Sequence, residues 1–141
     1  MRPVRRVVPM DTRTDWDIAL RHEDARVARY GRPAAILAVR LRMLTSGAVD
    51  HYATRIGGAI RHQARETDRV TRFGPDRFHL LLPETLEAEA SVLAERLRAA
   101  CVAVTPGAQG SEVEVLVAAA GTSGGGSLLE AMRSVKAQLE S

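Results

Sequence analysis

Arginines and a few carboxylates carry most of the chemistry available to this sequence. Arg40 and Arg42 flank Leu41 in an apolar run, Arg77 closes the stretch Gly74-Pro75-Asp76-Arg77, and Arg65 precedes Asp68 by three residues. A guanidinium donates two parallel bonds to a phosphate, so Arg40, Arg42 and Arg77 could hold a triphosphate directly. The simpler expectation sets Arg40 and Arg42 at solvated strand edges. Taken alone, Arg-x-x-Asp is a pattern that usually forms a surface ion pair of little energetic value. His22, His51, His62 and His79 lie on different elements without metal-ligand spacing, and solvated or half-buried rings are expected. The single cysteine, Cys101, excludes an intramolecular disulfide and a cysteine-rich zinc site; its apolar helical setting makes it a small core residue. The glycine-rich run 121–127 lacks the lysine and spacing of a phosphate loop and reads as a flexible connection. No metal and no cofactor is implied by these residues.

The chain has 141 residues, enough for one domain with a real core. With 45% hydrophobic and 26% charged residues it reads as a soluble globular protein, and with only 4% aromatics its interior must be filled by aliphatic side chains. A formal charge of +3 supports an anionic small ligand or an acidic partner and does not indicate nucleic acid. No apolar run reaches the length of a membrane span. The first ten residues carry charges without a following apolar segment, so they do not read as a secretion signal. The expected location is cytoplasmic.

The elements that must position these residues follow from periodicity. Residues 1–10 read as an extended leader and 11–141 as a single domain. Trp16, Leu20, Val27 and Tyr30 share one face of a helix over 15–30, stopped by Gly31-Arg32-Pro33. Residues 34–41 form a short apolar run expected as a buried strand, broken at Ser46-Gly47. Tyr52, Ala53, Ile56 and Ile60 mark a second helix from Val49 to about residue 65. Strands over 69–73 and 77–82 flank the Gly74-Pro75-Asp76-Arg77 turn, making a hairpin. Thr85 is the expected N-cap of a third helix bearing Ala90, Leu93, Leu97 and Ala100. A loop over 105–110, a strand from Val113 to Val117 and a last helix bearing Leu128, Met132, Val135 and Leu139 complete an α-β-α-β-β-α-β-α order. The fold class expected is α+β, with a central mixed sheet flanked by helices.

The hairpin Arg72-Phe73-Gly74-Pro75-Asp76-Arg77-Phe78, continuing through Leu80-Leu81-Leu82-Pro83-Glu84-Thr85, resembles the signature hairpin of GGDEF domains, the diguanylate cyclase family. Asp11-Thr12-Arg13-Thr14 is similar to that family's opening Asp-x-Leu-Thr motif. Segments 28–33 and 93–98 are similar to those before its first strand and after its hairpin, and Ala131-Met132 with Lys136 more weakly to its closing helix. The resemblance spans roughly residues 11–136 and is to a degenerate GGDEF domain.

Such domains join two GTP molecules using divalent metal held by carboxylates of the first strand and the turn. The resemblance sets Arg40-Leu41-Arg42 at the strand Asp-x-Asp and Arg77 at the turn glutamate. Pro75 replaces the second glycine, Asp76 keeps its carboxylate, and the stretch from Arg42 to Asp50 is shorter than its counterpart. These differences lead to the expectation that the chain is not an enzyme. Arg65-Glu66-Thr67-Asp68 is similar to the family's product-inhibition motif, and Arg96 falls where a further arginine completes that site. Arginine can pair with the O6/N7 edge of guanine and a carboxylate can accept from its N–H groups. The implied function is a catalytically inactive cyclic di-GMP receptor using Arg65, Asp68 and Arg96. The alternative is a protein-interaction or dimerisation module without a nucleotide ligand, and a homodimer or protein partner suits either reading.

Overall fold

The computed structural model describes residues 7–43, 49–105 and 113–140. Its elements are β1 (Met10–Asp11), α1 (Arg13–Tyr30), β2 (Ala34–Met43), α2 (Val49–Gln63), β3 (Arg69–Gly74), β4 (Arg77–Pro83), α3 (Glu87–Ala103), β5 (Val113–Gly121) and α4 (Leu128–Glu140), with a 3₁₀ turn at Ser123–Gly125. The five strands lie in the order β1-β3-β4-β2-β5. β1 runs parallel to β3, and the other pairings are antiparallel. The α+β class and single mixed sheet read from the sequence are present.

Alternation along β2 divides the core in two. Ala35, Leu37, Val39 and Leu41 meet Ile56 and Ile60 of α2 and Leu97 of α3. Ala34, Ile36 and Ala38 meet Trp16 and Leu20 of α1 and Leu128 and Val135 of α4. Helices on both faces explain why residues 34–39 are uniformly apolar and buried. The α1 face differs from the expected one: Tyr30 is 61% exposed while Glu23 is buried.

Local chemistry sets the helix ends. Thr12 accepts a bond from Asp15 N at 3.1 Å, so α1 starts two residues before the expected Asp15. Gly31, at φ 65°, takes the left-handed position and donates to Val27 O, ending the helix as expected. The expected Thr85 cap is not formed. Leu86 is the N-cap residue of α3, its N–H donating to Glu89 Oε1 at 2.9 Å, while the Thr85 hydroxyl turns back to Pro83 O. The expected breaker Ser46-Gly47 and most of the 105–110 loop lie outside the described residues. At the other end Val8 is buried in the core and its carbonyl accepts from Arg61 Nε at 2.7 Å.

Gly121 ends β5 against the first turn of α3. A Cβ there would lie 2.9 Å from Glu87 Cβ and 3.1 Å from Glu87 Cα. Because one of those atoms is backbone, the contact cannot relax by side-chain rotation alone. Gly121→Ala is expected to cost about 1–3 kcal/mol, read as a lower urea midpoint. A change within about 0.5 kcal/mol, the range of an unstrained surface substitution, would contradict this packing.

Candidate functional site

Candidate residues lie at both ends of the hairpin, about 20 Å apart by strand rise. At the end away from the turn, α2 gives way to the loop carrying Arg65 and Asp68. The Asp68 side chain is fully buried. Its Oδ2 accepts from Arg65 N at 2.8 Å and Arg65 Nε at 3.5 Å, and its Oδ1 from Arg65 Nη2 at 3.4 Å. Burial pushes the Asp68 carboxyl above the usual carboxylate range, with the Arg65 bonds partly opposing that rise. Arg65 Nη2 also donates to Thr85 Oγ1 and to Pro83 O. The guanidinium is therefore fixed by three residues while its side chain stays half exposed.

Arg65 opens onto a cavity of about 350 Å³ shared with Gln63, Thr85, Glu89, Val92, Leu93 and Arg96. Four of these, at 89, 92, 93 and 96, fall on one face of α3 by helical spacing. Arg96 reaches Gln63 Oε1 at 3.5 Å. Of the three residues expected to bind ligand, the structure thus gathers Arg65 and Arg96 on one cavity. Asp68 stands behind Arg65 rather than in the lining. Glu89 and Thr85 were not singled out from the sequence as site residues; the 89/92/93/96 spacing on the helix bearing Arg96 was the available signal.

At the turn, Arg72 holds the backbone, donating to Pro75 O at 2.7 Å and Gly74 O at 3.3 Å, and it pairs with Asp50. Leu41 N donates to Asp76 O at 2.8 Å, tying the turn to β2. Arg40 sits beside Arg77 in the β2–β4 register. Its Nη1 donates to Leu139 O at the end of α4, and its Nε lies 3.8 Å from Asp76 Oδ2. Arg42 pairs with Glu114, and Arg77 with Glu140 at 3.4 Å. None of the three arginines is a bare charge.

Beneath Phe73 lies a ring that the sequence reading placed wrongly. His79 is 0% exposed, not solvated or half-buried, and neither ring nitrogen has a hydrogen-bond partner. A β-bulge between Arg72 and Gly74 supplies Phe73 as the extra residue, and its ring stacks on His79 at 4.0 Å between centroids. The Arg13 guanidinium covers Phe73 at 3.7 Å. Burial, then the charges of Lys136, Arg13 and Arg77, push the His79 pKa down to about 3. Cys101 is buried as expected, and burial alone pushes its thiol up to about 12.

The family model for the diguanylate cyclase GGDEF domain matches residues 46–134, more than half of the chain and including the whole hairpin. The chain belongs to this family. The GGDEF fold is also shared with solved structures at low identity. A DGC protein from Thermotoga maritima superposes with a TM-score of 0.76 at 15% identity, over 92% of this chain and 95% of that one. The active GGEEF domain of a diguanylate cyclase from Vibrio cholerae gives 0.78 at 14% identity, over 94% and 90%. The GGDEF domain of DgcB from Caulobacter crescentus, in complex with c-di-GMP, gives 0.64 at 17%, over 99% and 90%. No curated protein is matched by sequence.

Membership corrects the expectation that the chain is not an enzyme: the family matched is that of the diguanylate cyclases. Arg40, Arg42 and Arg77 each lie against a carboxylate, so their charges are offset instead of standing free against a cation at the turn. The metal of the family's chemistry is a separate matter. Among the described residues no three His, Cys, Asp or Glu side chains converge on one point, and Asp76 is the only carboxylate at the aligned positions. The residues do not fit a carboxylate-held divalent ion. Among the described residues, no helix is long and apolar enough to cross a membrane.

Proposed function

We propose that this GGDEF domain binds cyclic di-GMP at the cavity where Arg65, from the loop after α2, meets Arg96 of α3. The observation that carries the reading is the convergence of these two arginines on one cavity, with Arg65 held in place by Asp68, Pro83 and Thr85. A guanidinium already fixed by protein acceptors loses little further entropy on binding. None of the bonds to Asp68, Pro83 or Thr85 uses Nη1. That nitrogen and Arg96 can meet a guanine O6/N7 edge or a phosphate. The Caulobacter relative supports the ligand class, since its GGDEF domain was solved with c-di-GMP. Asp68 serves in this reading as the anchor of Arg65.

Isothermal titration with cyclic di-GMP tests it, with GTP as a control. Micromolar or tighter binding is expected, weakened about 10- to 150-fold by Arg65→Ala, the loss of about 1.5–3 kcal/mol that goes with one hydrogen bond from a charged group. Absence of heat from folded protein would defeat the reading. Leu86 and Val92 are 54% and 63% exposed beside the cavity, which favours a second reading as a docking surface for another protein. Self-association without nucleotide binding would select that reading.

A further inference from the structure

We infer that Glu89 is the guanine-selecting carboxylate of this face, in the place that the Arg-x-x-Asp pattern would give to Asp68. The inference rests on the cyclic di-GMP reading and deepens it. Guanine differs from adenine at its Watson–Crick edge, where it offers an N1–H and a 2-amino group as donors. A carboxylate facing that edge accepts both, whereas the same carboxylate meets the acceptor N1 of adenine. Selectivity therefore needs a carboxylate with a free oxygen on the cavity wall.

Asp68 does not meet that requirement. Its side chain is fully buried, both oxygens accept from Arg65, and it is absent from the cavity lining. Turning it toward a ligand would strip the Arg65 N–H of its acceptor and dismantle the anchor of the arginine that the ligand needs. Glu89 does meet it. It is exposed, it is the one carboxylate among the residues lining the cavity, and it stands one helical turn before Val92 and Leu93 and two before Arg96. Its Oε1 accepts from Leu86 N at 2.9 Å, which fixes the side chain at the start of α3, and Oε2 takes no part in that bond. Among the described residues it has no ion-pair partner, so no arginine must be displaced before it can accept from a base. The arrangement is an anchored carboxylate and two guanidiniums around an apolar patch of Val92 and Leu93, which matches a guanine base carrying a phosphate.

Glu89→Gln tests the assignment, because the amide oxygen can still accept from Leu86 N and keep the cap. Full-length wild type and variant are titrated with cyclic di-GMP and cyclic di-AMP, and thermal unfolding checks that the variant is folded. The expected result is at least tenfold weaker cyclic di-GMP binding by Glu89→Gln, with the preference over cyclic di-AMP reduced. Cyclic di-GMP binding within twofold of wild type would overturn the role of Glu89 and leave the binding reading standing. No cyclic di-GMP binding by the wild type would overturn both.

Discussion

Acid is expected to destabilise this domain through His79, by about 1.4 kcal/mol for each pH unit below 6.5. Burial and three nearby cations hold the folded pKa at about 3, against an ordinary value of 6.5. Between those values the unfolded chain binds a proton that the folded chain refuses. The stability associated with the neutral ring is thus complete above pH 6.5, falls as pH drops, and stops falling below about 3. At pH 4.5 the loss from this residue is about 2–3 kcal/mol. No polar partner can absorb the charge, since both ring nitrogens are unpaired between Phe73 and Trp16. Urea denaturation of wild type and His79→Leu at pH 7 and pH 4.5 isolates the effect from carboxylates that titrate in both proteins. The variant should lose less stability between the two pH values by that amount, and equal losses would contradict the buried neutral ring.

Trp16→Ala is expected to cost about 3–5 kcal/mol, the range for emptying a large aromatic site. The indole is 0% exposed and sits where α1, α4 and the sheet meet, beside Leu20, Ile36, Leu81, Leu128 and Val135. No single neighbour can collapse into the space, because these side chains come from separate elements that would have to move together. Trp16→Phe should cost far less, for it keeps an aromatic ring and removes an indole N–H that has no partner. Urea midpoints of the two variants decide the point. A small loss for Trp16→Ala would mean that α1 is not packed as described.

Much of this architecture was legible because its signals are local. The period-two alternation around the Gly74-Pro75-Asp76-Arg77 turn gave the hairpin. The 128, 132, 135 and 139 spacing gave the buried stripe of α4, all four residues of which are in the core. The family signal was legible in the hairpin residues and the helix following them. What was not legible depends on partners distant in sequence. Arg40, Arg42 and Arg77 find Leu139, Glu114 and Glu140, each more than 60 residues away, and no spacing rule announces such pairs. His79 was expected to be solvated or half-buried, yet α1 and α4 cover that face of the sheet. Thr85 had the chemistry of an N-cap, but Glu89 satisfied Leu86 N one residue later and left the Thr85 hydroxyl to receive Arg65. Asp68 was read by its motif as a ligand contact, while its bonds to Arg65 and its burial depend on how the loop folds back, which the motif does not announce.

The central claim, that cyclic di-GMP binds the Arg65–Arg96 face, is tested most directly by mapping backbone amide shifts during a cyclic di-GMP titration. Saturable shifts are predicted at residues 63–68, 85–89 and 92–96, with the turn at 74–77 unmoved. Shifts confined to the turn, or none at all in folded protein, would contradict it.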